Sequence, residues 1–149
     1  MGGRWTCTRD AMRIKGPFSL TGGTFSLRDC PDLVPIMAVL GLFSRGVTKL
    51  THIGHARAKE SDRISDLRLE LGKAGARVEE TQDTLTIFPL VSFRRDTVLD
   101  PHHDHRLAMA FTVLGLKTGA RIRDIECVKK SYPRFVPDLK GLAAPIILL

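Results

Sequence analysis

Three times along this sequence an apolar stretch of helical length ends at a glycine and gives way to a short run of alternating apolar and polar residues. The first copy is Ile36-Met-Ala-Val-Leu-Gly-Leu-Phe-Ser-Arg-Gly46, followed by Val47-Thr-Lys-Leu-Thr-His-Ile53. The second ends at Gly75, before Ala76-Arg-Val-Glu-Glu80, and the third at Gly119, before Ala120-Arg-Ile-Arg-Asp-Ile125. A glycine at such a point suits a helix C-cap in the left-handed region. Alternation after it is the pattern of a half-buried strand. The glycines are 29 and then 44 residues apart, so the repeat is an α/β unit with insertions, not a solenoid.

The same reading places strands at Met12–Lys15, Thr24–Leu27, Thr48–Ile53, Arg77–Glu80, Thr84–Phe88 and Arg121–Ile125. Gln82-Asp83 is a turn between the fourth and fifth of these. Helices are expected over Asp32–Ser44, Lys59–Ala74 and His105–Leu116, with a short one near Pro133–Leu142. Pro31 stands just before the first helix and Asp104 is a good N-cap for the third. This order of strands and helices predicts an α/β (α+β) domain of layered sheet and helices.

A chain of 149 residues with 43% hydrophobic and 26% charged residues has enough apolar material for one domain with a real core. No uninterrupted apolar stretch reaches the length of a membrane span, and the first residues lack the apolar run of a signal peptide. A cytoplasmic protein without membrane contact is expected. Cys7, Cys30 and Cys127 are scattered, which argues for reduced thiols. The net charge of +7 points to anionic partners. The cations sit in short clusters beside Asp, Glu and His. That arrangement fits a small-anion pocket better than a nucleic-acid track.

Four segments carry those clusters. Arg57-Ala-Lys-Glu-Ser-Asp-Arg63 opens the second expected helix, with Glu60 heading the apolar stripe of Ile64, Leu67 and Leu71. Lys59 and Arg63 would then lie in its first turn, against the helix dipole. One reading is an anion site of backbone N–H groups and cations; the other is a solvated charged face. Asp100-Pro-His-His-Asp-His-Arg106 opens the third helix in the same way. Its histidines lack helical metal-ligand spacing, so a capping Asp104 with solvated His102 and His103 is preferred to a metal site. Lys129-Lys-Ser-Tyr-Pro-Arg134 is a basic loop, and Asp29-Cys-Pro-Asp32 puts a carboxylate at the head of an apolar helix.

The motifs Asp29-Cys-Pro-Asp-Leu-Val-Pro35, Lys59-Glu-Ser-Asp-Arg63, Asp104-His-Arg-Leu-Ala-Met109 and Lys130-Ser-Tyr-Pro133 resemble, in content and order, those of the 5-enolpyruvylshikimate-3-phosphate synthases. The resemblance covers residues 12–142; residues 1–11 and 143–149 match nothing in it. It implies about two of the βαβαββ units that build the family's inside-out barrel, from the C-terminal portion. It also implies transfer of the enolpyruvyl group of phosphoenolpyruvate to the 5-hydroxyl of shikimate 3-phosphate, with release of phosphate and no metal or other cofactor.

Carried over by motif, the resemblance makes Asp32 a base near the acceptor hydroxyl, Lys59 its neighbour, and Glu60 an acid near the phosphoenolpyruvate methylene. Arg63, His105, Arg106 and Lys130 match the groups that hold phosphoenolpyruvate. Asp32, His55 and Lys59 match the shikimate 3-phosphate side, with His55 standing where many members have Asn. The family's N-terminal half, which completes the acceptor site, has no counterpart here. The fragment is therefore expected to be inactive alone, with that half as its partner. The competing readings are an enolpyruvyl transferase acting on UDP-N-acetylglucosamine, a non-catalytic anion-binding domain, and a nucleic-acid-binding basic module.

Overall fold

A computed structural model describes residues 1–147, so the last two residues of the 143–149 segment lie outside it. Two strands that pair in parallel need a crossover between them. Here β3 (Leu20–Ser26) pairs in parallel with β4 (Ser44–Thr51), and α1 (Val34–Leu42) is the crossover. Every α1 residue is apolar, as befits a helix covered on most sides. It packs against β4 and β6 (Thr84–Ile87), and against α2 (Arg63–Lys73) and α3 (His105–Thr118). Gly41 permits the approach to the sheet. A Cβ there would sit 3.1 Å from the Thr48 Cβ and 3.3 Å from the Ile87 Cβ.

Beyond β4 the chain runs through α2 to β5 (Val78–Glu80), which pairs antiparallel with β6; β6 pairs antiparallel with β4. The sheet order is β3-β4-β6-β5. In chain order, β3-α1-β4-α2-β5-β6 is one complete βαβαββ unit. A second begins with β7 (Val98–Leu99), α3, β8 (Arg121–Ile122) and α4 (Phe135–Gly141), with β7 and β8 paired in parallel. The described residues close no barrel. The main core lies between sheet and helices and includes Leu42, Leu50, Ile64, Leu71, Leu85 and Phe111, all buried. Among the described residues, no helix is long and apolar enough to cross a membrane.

Several boundaries differ from the sequence reading. The first helix opens as a 3-10 turn at Pro31–Leu33 and ends at Leu42, so Gly46 is no cap: it lies within β4 at φ 82°. Gly119 is the left-handed C-cap expected of it, at φ 76°. The second helix starts at Arg63, not Lys59. Asp62 caps it by accepting the Ser65 N–H at 3.1 Å, and Lys59 is extended at φ −102°, ψ −148°. Lys59 and Glu60 therefore stand in a loop, and Glu60 does not extend the helix stripe. The strand expected over Arg121–Ile125 stops at Ile122, because Asp124 turns left-handed and a 3-10 turn follows at Ile125–Lys130. β1 (Trp5–Cys7), an antiparallel partner for β2 (Met12–Ile14), and β7 were not expected.

Candidate active site

Local rules place each site segment. Asp32 is in the turn that leads into α1. His55 lies in a second 3-10 turn, Gly54–Ala58, followed by Lys59 and Glu60. Arg57 fixes this stretch. Its guanidinium donates to Asp62 at 2.8 Å, Ser65 Oγ at 2.9 Å and the Thr81 carbonyl at 2.7 Å. The Gly54 N–H donates to Asp83 at 2.6 Å, so the β5–β6 hairpin holds the loop from both ends. Arg63 is the first residue of α2, Asp104 the N-cap of α3, and Lys130 the last residue of the Ile125–Lys130 turn.

Arg63 joins these segments. Its side chain is 1% exposed. Its Nε donates to Asp104 Oδ2 at 2.7 Å, Nη1 to Asp32 Oδ1 at 2.9 Å and Nη2 to Glu60 Oε2 at 2.9 Å. The other oxygens reach outward. Asp32 Oδ2 meets Arg106 Nη2 at 2.8 Å, and Glu60 Oε1 meets Lys130 Nζ at 3.3 Å. Cations and carboxylates alternate from Arg106 through Asp32, Arg63 and Glu60 to Lys130. His105 is buried beside them, its Nδ1 4.0 Å from Glu60 Oε1, and neither ring nitrogen has a hydrogen-bond partner among the described residues.

A buried charge survives only with close partners. Burial works against the Arg63 charge, and Asp104 and Asp32 more than offset it, so its pKa is raised. The hydrogen bond from Arg63, then the charges of Arg106 and Lys59, hold the Asp32 carboxyl below its ordinary value against desolvation. Burial pushes Glu60 up, but its own backbone N–H, Lys130 and Arg63 outweigh it and the net shift is downward. Both are carboxylates at neutral pH. Burial lifts the Cys127 thiol to about 11, which keeps it protonated and a poor nucleophile.

The geometry thus brings together Asp32, Glu60, Arg63, His105, Arg106 and Lys130. Lys59 is exposed but close enough to act on Asp32, and His55 is exposed on the neighbouring turn. Two expectations need correction. Most of the helix-start amides are already taken: Arg63 N–H by the Ser61 carbonyl, Ser65 N–H by Asp62, and Arg106 N–H and Leu107 N–H by Asp104. His102 and His103 are not simply solvated: His102 Nε2 lies 3.0 Å from Glu70 Oε1, and His103 Nδ1 lies 2.6 Å from Asp124 Oδ2. Sequence reading missed the second task of Asp104, which caps α3 and anchors Arg63 at once. Its only sequence signal was the cap. Among the described residues, no group of three His, Cys, Asp or Glu side chains is arranged to hold a metal.

The family model described as EPSP synthase (3-phosphoshikimate 1-carboxyvinyltransferase) matches residues 1–139. The chain belongs to this EPSP synthase family. It is 42% identical over 148 residues to the 3-phosphoshikimate 1-carboxyvinyltransferase of Methanocaldococcus jannaschii, covering 98% of this chain and 34% of that protein. It is 40% identical over 136 residues to the protein of the same name from Syntrophobacter fumaroxidans, covering 91% and 32%. Among solved structures, an EPSP synthase from Acinetobacter baumannii superposes with a TM-score of 0.79 at 29% identity, over 87% of this chain and 32% of that one. The enolpyruvyl transferase NikO from Streptomyces tendae has the same fold, with a TM-score of 0.77 at 22% identity over 97% of this chain and 33% of its own. The chain spans about a third of the length of the EPSP synthase family members it matches.

Proposed function

We propose that this chain supplies the phosphoenolpyruvate side of an enolpyruvyl-transfer site, acting with the remainder of an EPSP synthase, which completes the shikimate 3-phosphate side. The observation that carries the reading is the alternating row of charges centred on Arg63, in which Arg106 and Lys130 are held by carboxylates of the chain itself. Phosphoenolpyruvate carries a carboxylate and a phosphate, the same kind of group that Asp32 and Glu60 present to those cations. It binds by exchange, taking over Arg106, Lys130 and the uncommitted N–H of Arg63.

That exchange also prepares the chemistry. Once Lys130 turns to the ligand, Glu60 loses one of the interactions that hold its pKa down, while its burial remains. Its affinity for a proton rises, as an acid donating to the methylene carbon requires. Asp32, relieved of Arg106, accepts the proton of the 5-hydroxyl. The hydroxyl oxygen bonds to the central carbon of the enolpyruvyl group, the bond from that carbon to the phosphate oxygen breaks, and the methyl group returns a proton to the Glu60 carboxylate, which restores the carbon–carbon double bond. The leaving phosphate departs among Arg63, Arg106 and Lys130, which stabilise its charge. Lys59 stands beside Asp32 on the acceptor side with His55, and the buried His105 offers a free ring nitrogen to the ligand.

Calorimetric titration of phosphoenolpyruvate tests the reading, in the chain mixed with the complementary N-terminal portion of a family member and shikimate 3-phosphate. Binding is expected, with Arg106→Ala and Lys130→Ala each weakening it at least tenfold, as for loss of a charge-assisted hydrogen bond of about 1.5–3 kcal/mol. Binding that ignores both substitutions would sink the proposal. UDP-N-acetylglucosamine in place of shikimate 3-phosphate should give no product.

A further inference from the structure

Glu70 is fully buried two turns along α2 from Arg63 and takes no part in the charge row. A buried carboxylate needs donors. Lys73 Nζ is 2.6 Å from its Oε1 and His102 Nε2 is 3.0 Å from the same oxygen, while the Asp100 N–H donates to Oε2 at 2.9 Å. Because the carboxylate only accepts, the His102 Nε2 is the protonated, donating nitrogen. Two of the three donors come from the turn at residues 100–104 that precedes α3.

That turn is held in a costly shape. His102 and His103 both have left-handed backbones, at φ 51° and 60°. Side-chain-bearing residues stay there only when their surroundings fix them. The fixing contacts are Glu70 on His102, Asp124 on His103, and Asp100 Oδ1 accepting the His102 N–H at 2.9 Å. Asp104 follows, its own N–H donating to the Pro101 carbonyl at 2.9 Å. α2 therefore grips the turn twice: Arg63 takes Asp104, and Glu70 takes Asp100 and His102. Seven residues along a helix separate those grips by about 10 Å, enough to set the orientation of the turn as well as its position.

We propose that Glu70, acting through His102 and Asp100, is a positioning residue that sets where Asp104, His105 and Arg106 stand in the anion site. The consequence for phosphoenolpyruvate rests on the function proposed above; the positioning itself does not, and the two are read separately. The variants are His102→Asn, Glu70→Gln and Glu70→Ala in the 149-residue chain. Asn tolerates a left-handed backbone but is too short to reach Glu70. Gln keeps an acceptor for the Asp100 N–H, while Ala keeps none. If Glu70→Ala fails to fold, His102→Asn carries the test.

The first readout is NMR of the Arg63 Nε–H and of the Arg106 and Leu107 amides, all donors to Asp104. In His102→Asn their resonances should shift and their hydrogen exchange should quicken about tenfold, as for loss of one charge-assisted hydrogen bond. In Glu70→Gln, whose single oxygen can serve the Asp100 N–H or His102 but not both, the change should be smaller than in Glu70→Ala. Wild-type resonances at Arg63, Arg106 and Leu107, with change confined to residues 100–103, would overturn the proposal. The second readout is the phosphoenolpyruvate Kd with the complementary portion present, expected to rise about tenfold in His102→Asn and to rise less in Glu70→Gln than in Glu70→Ala. An unaltered Kd in His102→Asn also overturns it. A wild-type complex that binds no phosphoenolpyruvate counts against the proposed function, and the resonances still decide the positioning.

Discussion

Arg63 and Asp104, 41 positions apart in sequence, meet at 2.7 Å with side chains 1% and 0% exposed. This contact locks the start of α2 to the start of α3. It makes the two most distinctive sequence motifs, residues 59–63 and 104–109, parts of one rigid joint.

Asp104→Ala should therefore destabilise the fold by about 3–5 kcal/mol, the cost of leaving a buried charge without its partner. Urea unfolding of the single variants and of the pair Arg63→Met/Asp104→Leu reads it. The pair should lose much less than the two singles together. Additive losses would mean that the joint is not a coupled unit.

Asp32→Asn should bind phosphoenolpyruvate or inorganic phosphate more tightly while abolishing turnover in the completed enzyme. It removes the internal counter-ion of Arg106 and one of those on Arg63. Asp32 is 47% exposed, so the gain is limited to about fivefold, the value of a solvent-screened ion pair. Calorimetry on both proteins checks it, and equal or weaker binding in the variant would refute the exchange.

Stability should fall as the solution is acidified, and these carboxylates should contribute to the fall. Asp32 and Glu60 have folded pKa values below their ordinary 3.8 and 4.5. Their contribution is fully present above those values and is lost as pH drops through the lower folded ones. Asp66 has the opposite sign. Burial raises it above 3.8, so its contribution is present below that value and is lost as pH rises through the higher folded one. Urea midpoints between pH 6 and pH 3 should decline less in Asp32→Asn than in the unaltered chain. For Asp66→Asn the decline should be steeper.

Two glycines should respond to alanine with opposite signs. A Cβ on Gly22 would meet the Val47 carbonyl oxygen at 2.4 Å and that of Gly46 at 2.5 Å. Both are backbone atoms of β4 that cannot retreat without parting the β3–β4 pair, so Gly22→Ala should cost about 3 kcal/mol. Gly72, inside α2, has open space around its Cβ position, and Gly72→Ala should stabilise by about 0.5–1 kcal/mol. Thermal unfolding of the two variants distinguishes the cases.

The sequence made α1, the β5–β6 hairpin and α3 legible because each follows local rules: an unbroken apolar run, alternation around Gln82-Asp83, and an Asp104 cap answered by Gly119. The motif resemblance supplied the family and the residues of the charge row. What stayed hidden was set by distant partners. The start of α2 moved to Arg63 because Asp62 caps it and Arg57 ties the preceding loop to the hairpin. Periodicity cannot register either contact. Burial of Arg63 was equally invisible, since a cation reads as surface until three carboxylates from residues 32, 60 and 104 converge on it. β1 and β7 are too short to leave a periodic signal.

The contact between Glu60 and Lys130 joins residues 70 positions apart. An exposed ion pair stabilises too little to hold such a long loop closed by itself. It forms only after the core between α1, α2 and α3 has already brought the ends together. During folding, then, the Lys130 end of the row of charges should be completed late. Pulse-labelled refolding should find the β3–β4 amides protected before residues 128–130.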